Sequence, residues 1–211
     1  MTPKDSSYHH GALREALLEA GDELLRERGY TGFTLRECAR RAGVSHAAPK
    51  HHFGDVQNFL SEIAANGFRR LTDRLRDEIG KARNLDEEFI ATTRAYVGFA
   101  EENPEHFRLM FRRDLLNESD SLVDAVLQTY TVLTNVILRQ RAEPEITQPD
   151  LSDRLSIGTL IEDILIGWSH IHGFANLQLE DHLKMIPEEK FQSLLEKTAV
   201  RVSRTMRPTK G

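Results

Sequence analysis

Cysteine is nearly absent from this 211-residue chain, where Cys38 stands alone. An intramolecular disulfide is therefore excluded, and the composition suits a reducing compartment. No apolar run approaches the roughly 18 residues that cross a bilayer. The polar start, Met1 to His10, lacks the apolar segment of a secretion signal. A cytoplasmic protein without a membrane partner is expected. Gly-rich phosphate loops and nucleophile elbows are missing. His9-His10, His51-His52 and His170/His172 lack the i,i+4 spacing that aims two imidazoles at one ion, and no cysteine cluster supports them. Neither a metal nor a cofactor is expected. An enzyme using His172 as a base would have no recognisable nucleophile or partnered acid, so no catalytic residue is assigned. Repeats, low-complexity tracts and period-two alternation are lacking too, which argues against strands.

Positive charge is scarce overall. The chain has 33 Asp and Glu against 28 Lys and Arg, a net charge of −5. That balance excludes an indiscriminate nucleic-acid coat, because whole-chain charge governs non-specific binding. Locally the sign reverses. Between positions 36 and 52, Arg36, Arg40, Arg41 and Lys50 face only Glu37, with His46, His51 and His52 beside them. A confined basic patch suits specific, salt-sensitive binding to DNA.

The same stretch carries a structural signature. Thr34 and Glu37 have capping-box spacing, so a short helix is predicted from Leu35. Gly43 supplies the left-handed residue that ends it, and Ser45 is positioned to cap a second helix. Leu35, Cys38, Ala39, Ala42 and Val44 form a small apolar seam on which two short helices cross steeply. Pro49 is tolerated near a helix start but biases Ala48 away from helical angles. His46, Ala47 and Ala48 then form an N-terminal surface small enough to approach base edges, with Lys50 and His51 further along.

Helical periodicity governs the rest. The first helix carries Leu13, Ala16, Leu17, Ala20 and Leu24 on one stripe and stops at Gly29; with the two short helices it makes a three-helix domain over residues 1–55. A larger helical domain, 56–211, follows. Its helices are predicted over 56–79, 86–102, 105–111, 122–141, 151–177 and 188–206. The last two bear stripes that suggest a homodimer built as a four-helix bundle, burial within one chain being the alternative. The interface candidates are Gly158, Ile166, Ser169 and Gly173 on one helix and Phe191, Leu195 and Val202 on the next. Asp163 and His170 are expected at the dimer rim. Trp168 and His172, four residues apart, face apolar surroundings. His172 is either a satisfied core histidine or the polar handle of an effector cavity whose walls would include Phe99, Phe107, Met110, Phe111, Tyr130 and Leu165.

Tyr8-His9-His10-Gly11, Leu13-Arg14 through Leu25, Thr34-Leu35-Arg36-Glu37, Arg40 through Ser45 and His52-Phe53 together resemble the TetR family of bacterial regulators. Trp168 and His172-Gly173 resemble the subgroup with a Trp/His-Gly motif in its penultimate helix. The resemblance implies an all-α homodimer that binds a palindromic duplex operator and releases it when a small organic effector moves the long connecting helix. It also implies phosphate contacts from Thr34, His52 and Tyr8, with Arg36, Ser45, His46, Ala47, Ala48, Lys50 and His51 facing the groove. Lys50 replaces the usual phosphate-binding tyrosine, and Val56 replaces a usual lysine. The alternative is a helix-turn-helix module that has lost DNA binding and serves protein interaction.

Overall fold

The chain is all-helical in this computed structural model, which describes residues 4–147 and 160–208, with side chains from residue 11 onward except Glu188. Helix α1 spans Lys4–Arg28 and ends at Gly29, whose φ of 65° is left-handed. A 3-10 turn, Tyr30–Gly32, leads to α2 (Leu35–Arg41) and α3 (Ala48–Phe53). Then come α4 (Val56–Ile79), α5 (Leu85–Glu102), α6 (Pro104–Met110) and α7 (Asp120–Gln140). The last described helices are α8 (Leu160–Leu179) and α9 (Glu188–Thr205). Among the described residues there is no strand. The helix expected from 151 is described only from Leu160, so its first turns and Gly158 lie outside the described residues.

The chain divides into two units, and α4 and α7 each run from one into the other. The first is Met1–Gly67 with Asn103–Asp124. Its core joins Leu17, Leu24 and Leu25 of α1 to Cys38 and Ala39 of α2 and to Phe53, Phe59 and Ile63, all buried. Gly21 permits the approach of α1 to α4: a Cβ there would lie 2.5 Å from Phe59 Cε1. Phe59 meets Phe53 edge-on at 4.4 Å between centroids. Burying one such ring stabilises by about 2–3 kcal/mol. Residues 103–124 are tied to the same core by polar contacts. His106 on α6, 2% exposed, pairs with Asp22 of α1 at 2.7 Å. Ser61 on α4 donates to the Asn117 carbonyl and accepts from the Asn117 amide, both at 2.9 Å.

The second unit is Phe68–Glu102 with Ala125–Gly211. Phe89, Val136, Ile137, Leu138, Leu160, Ala199 and Met206 form its main cluster. Around this cluster α5 is fastened to its neighbours by ion pairs. Buried Glu88 accepts from Arg139 Nε at 2.5 Å, and Asp86 accepts from Arg204 at 3.0 Å. An 18-residue window of α7 reaches a mean hydropathy of 1.3, so by length and composition this helix could cross a membrane. The sequence reading missed it because threonines and Asn135 interrupt the apolar run. Those polar groups are engaged within the fold: Thr129 hydrogen-bonds Thr72 at 2.7 Å, and Asn135 pairs with the backbone of Ile146 in both directions at 2.9 Å.

Periodicity locates the stripes of α8 and α9, and the departures are the α9 stripe and Leu165. Phe191 and Leu195, expected between copies, are 2% and 1% exposed inside the protomer, and Val202 packs on the main cluster. On α8 the inward side is Leu160, Gly167, Ile171 and Ala175. Leu165, expected in the cavity, is 49% exposed. Gly167 explains why Leu165 is left outside, because a Cβ at 167 would lie 2.9 Å from Ile137 Cδ1: the helix packs inward on its glycine.

A candidate DNA interface and a candidate effector cavity

The helix-turn-helix corner forms as its residues dictate, with two local departures. Thr34 is extended and its hydroxyl accepts from the Glu37 amide at 3.3 Å. The reciprocal half of the capping box is not made. Glu37 instead accepts from Arg40 at 2.8 and 2.7 Å and from Arg41 at 3.3 Å. Arg40 above all, with Arg41 and Arg28, holds the Glu37 carboxyl down at about 2. Gly43, φ 67°, closes α2 in a Schellman turn, with the Val44 amide donating to the Ala39 carbonyl at 3.0 Å.

Ser45 does not cap α3 through its hydroxyl. Its carbonyl accepts from the Ala48 amide at 3.0 Å, and the regular helix starts at Ala48. Pro49 supplies the reason. A helix capped at Ser45 would need residue 49 to donate to the Ser45 carbonyl, and proline has no N–H. The opening turn tightens to an i,i+3 bond, while Pro49 itself is buried.

Thr34, Arg36, Ser45, His46, Ala47, Lys50 and His51 are exposed; Ala48 and His52 are half-buried. The Tyr8 side chain lies outside the described residues. The basic patch divides in two. Arg40 is bound by Glu37, and Arg41 by Glu27 at 2.5 Å as well as Glu37. Arg36 and Lys50 meet no carboxylate among the described residues. Glu37→Gln should therefore release Arg40 toward a bound polyanion. Non-specific duplex affinity is expected to rise, and the slope of log K against log salt to steepen by about one unit per released cation. An unchanged slope in a salt titration would show that Arg40 never reaches phosphate.

Cys38, 0% exposed in this corner, has its thiol pushed up to about 11 by burial, which removes it from thiolate chemistry at neutral pH.

A cavity of about 30 Å³ lies within the second unit, walled by α5, α7 and α8. Tyr130 and Trp168 line it, with their rings edge-to-face at 5.7 Å. Phe107, Met110 and Phe111 belong to the first unit, where the tilted rings of Phe107 and Phe111 pack with centroids 5.0 Å apart. Phe99 is buried away from the cavity lining, and His172 is outside it too.

His172 is satisfied by a residue that sequence reasoning did not single out. Tyr96 of α5, 1% exposed, lies 3.0 Å from His172 Nδ1 through its hydroxyl. Trp168 stands beside the pair, with its ring 5.6 Å from that of His172. Burial lowers the His172 pKa and likewise that of His170, whose Nε2 has no partner among the described residues. Asp163, expected at a dimer rim with His170, is ion-paired to Arg141 of its own chain. The depressed histidines set a pH dependence. Above the ordinary histidine value near 6.5 both states are neutral and stability is full. Below it the unfolded chain takes up protons that the folded chain refuses, so stability falls until the lower folded values are passed. Urea midpoints should fall between neutral pH and pH of about 5.5, and a His170→Phe, His172→Gln chain should flatten this fall.

Among the described residues no group of His, Cys, Asp or Glu is arranged to hold a metal ion.

Residues 17–63 match bacterial regulatory proteins of the tetR family, and 89–201 match the tetracyclin repressor-like C-terminal domain. A structure of a protein with unknown function from Rhodococcus sp. RHA1 is 30% identical, with 92% of this chain and 96% of that chain covered and a TM-score of 0.73. The TetR family regulator PfmR from Thermus thermophilus shares the fold at 17% identity and a TM-score of 0.57, over 92% of this chain and 96% of its own. The HTH-type transcriptional regulator YobS of Bacillus subtilis, itself uncharacterised, is 26% identical over 97 residues, 46% of this chain; the match spans about half of that curated relative's length. The C-terminal match alone exceeds half of the chain, and with the helix-turn-helix corner formed at Gly43 it is clear that the chain belongs to the TetR family of bacterial regulatory proteins.

Proposed function

We propose that the protein is a transcriptional repressor of the subgroup marked by Trp168 and His172-Gly173, released from a palindromic operator by a small organic effector. Residues 1–55 read the duplex, and residues 56–211 bind the effector and pair two copies. The carrying observation is the pair Arg36 and Lys50, without a carboxylate partner among the described residues and exposed beside the small surface His46-Ala47 on a helix-turn-helix. Cations without internal carboxylates are the ones able to exchange condensed counterions for phosphate. Thr34, Ser45, Ala48, His51 and His52 complete the contact surface, with Tyr8 reaching the backbone.

Release follows from a population shift. The cavity lies between helices of the second unit, and α4 and α7 continue from there into the first. An effector that fits the cavity in only one arrangement of these helices favours that arrangement by its differential affinity. Operator binding requires the two reading heads to match successive major grooves roughly 34–36 Å apart. The arrangement favoured by the effector breaks that match. The test is binding of the purified protein to the duplex upstream of its own gene. Saturable, salt-sensitive binding that scrambled duplex does not compete is expected. Equal affinity for both duplexes would refute sequence-specific regulation and favour the interaction-module alternative.

A further inference from the structure

The geometry points to an effector that is uncharged and largely apolar, carrying one hydrogen-bonding oxygen that meets Thr134 Oγ1. This rests on the reading of the α5, α7 and α8 cavity as the effector site. Its described walls contain no Asp, Glu, Lys, Arg or His. Phe89, Val136, Ile137, Ile164 and Ile171 are hydrocarbon surfaces. Trp168 contributes its ring. Thr92 has its hydroxyl bonded back to the Glu88 carbonyl at 2.8 Å.

Thr134 breaks this rule. It is 3% exposed, lines the cavity, and forms no side-chain hydrogen bond among the described residues. The other buried polar side chains, Thr72, Thr92, Thr93 and Thr129 among them, all have partners. His170 Nε2, not the Thr134 oxygen, is the fully enclosed unpartnered atom among the described residues, so Thr134 Oγ1 keeps some accessible surface in the cavity wall. A ligand hydroxyl, ether or carbonyl at this point gives it the hydrogen bond it lacks within the chain. A carboxylate or ammonium would be stripped of water with no counter-charge in the lining, which is far more costly than leaving one hydroxyl unpaired.

Trp168 is the only tryptophan of the chain and stands in the cavity wall, so its emission reports occupancy directly. Full-length protein is titrated with 1-hexanol, hexanoate and hexylammonium, none of which absorbs near indole. 1-Hexanol is larger than the space of about 30 Å³ between these helices, so it should bind by parting them and change the emission saturably, and the two ions should bind at least about 100-fold more weakly. Thr134→Val should weaken 1-hexanol by about 5-fold, the effect of one neutral hydrogen bond, and Thr134→Ser should restore it. Binding of either ion as tight as the alcohol, no saturable response to 1-hexanol, or an affinity unaltered by Thr134→Val would each overturn the inference. Each sample is also tested for binding to its upstream duplex. Retained duplex binding beside a failed alcohol titration leaves the regulator and removes this ligand class, whereas lost duplex binding in the unmodified protein removes the regulator reading itself.

Discussion

Alanine at both Arg36 and Lys50 should lower operator affinity by roughly 1,000-fold at physiological salt, at about 1 kcal/mol for each of the cations lost from two reading heads. The argument starts from the pairing pattern. Arg40 and Arg41 already face Glu37 and Glu27, so truncating them removes as much internal ion pairing as external charge. Arg36 and Lys50 have no such partner among the described residues, and their whole electrostatic effect is available to DNA. Each substitution occurs twice in a dimer. If both side chains contact phosphate, the slope of log K against log salt should flatten by nearly four units, close to one for every cation removed. Fluorescence anisotropy with the upstream duplex between about 50 and 300 mM salt measures both quantities. A large loss with an unchanged slope would move the two residues from phosphate to base edges, and the variant should then discriminate poorly among operator sequences. An undiminished affinity would mean that α2 and α3 do not face the duplex. Circular dichroism separates this from misfolding, because neither exposed side chain supports the core.

What could be read from the residues depended on how local the determining physics was. The ends of α2 were legible because a hydroxyl, a carboxylate and a glycine within ten positions decide them. Even there, the Glu37 carboxylate preferred two guanidinium groups to the cap amide, a choice made by charge strength that spacing alone does not reveal. The start of α3 was misplaced for an equally local reason: Pro49 withholds the donor that a serine-capped helix needs. The cavity was legible only where aromatic size marked it, at Tyr130 and Trp168. Phe107, Met110 and Phe111 looked alike by composition yet pack in the first unit, since hydrophobic character fixes that a side chain is buried and not where. Thr134 gave no signal at all. A threonine inside an apolar helix ordinarily bonds back to its own backbone, and its lack of a partner is visible only once neighbouring helices are in place. Tyr96 could have been found: it shares the stripe of Thr92, Thr93 and Phe99 on α5, where a phenol buried that deeply requires a polar partner.

Glutamate at both Ile166 and Leu177 should convert the proposed dimer to monomers at micromolar concentration and weaken operator binding by at least about 100-fold. These positions are 47% and 43% exposed in the protomer, in contrast to Phe191 and Leu195. Ser169 lies between them on the same side of α8, and Gly173 completes the row with open space above its Cα. Spacings of three, four and four residues keep all of them on one face, and small residues there let a second helix approach closely. A twofold interface presents each substituted position twice, so two substitutions bring four carboxylates into an otherwise apolar contact. Removing that many charges from water costs more than an interface of ordinary size yields. Operator affinity falls because one reading head binds alone and loses the second half-site. Sedimentation velocity reads the first effect and anisotropy the second. Leu195→Ala is the contrasting control. Its side chain is buried in its own chain, so it should lower the unfolding midpoint by the equivalent of about 2–5 kcal/mol and leave folded chains dimeric. Dimers that survive both glutamates would place the interface off this face of α8, and the row through Gly173 would then need another explanation.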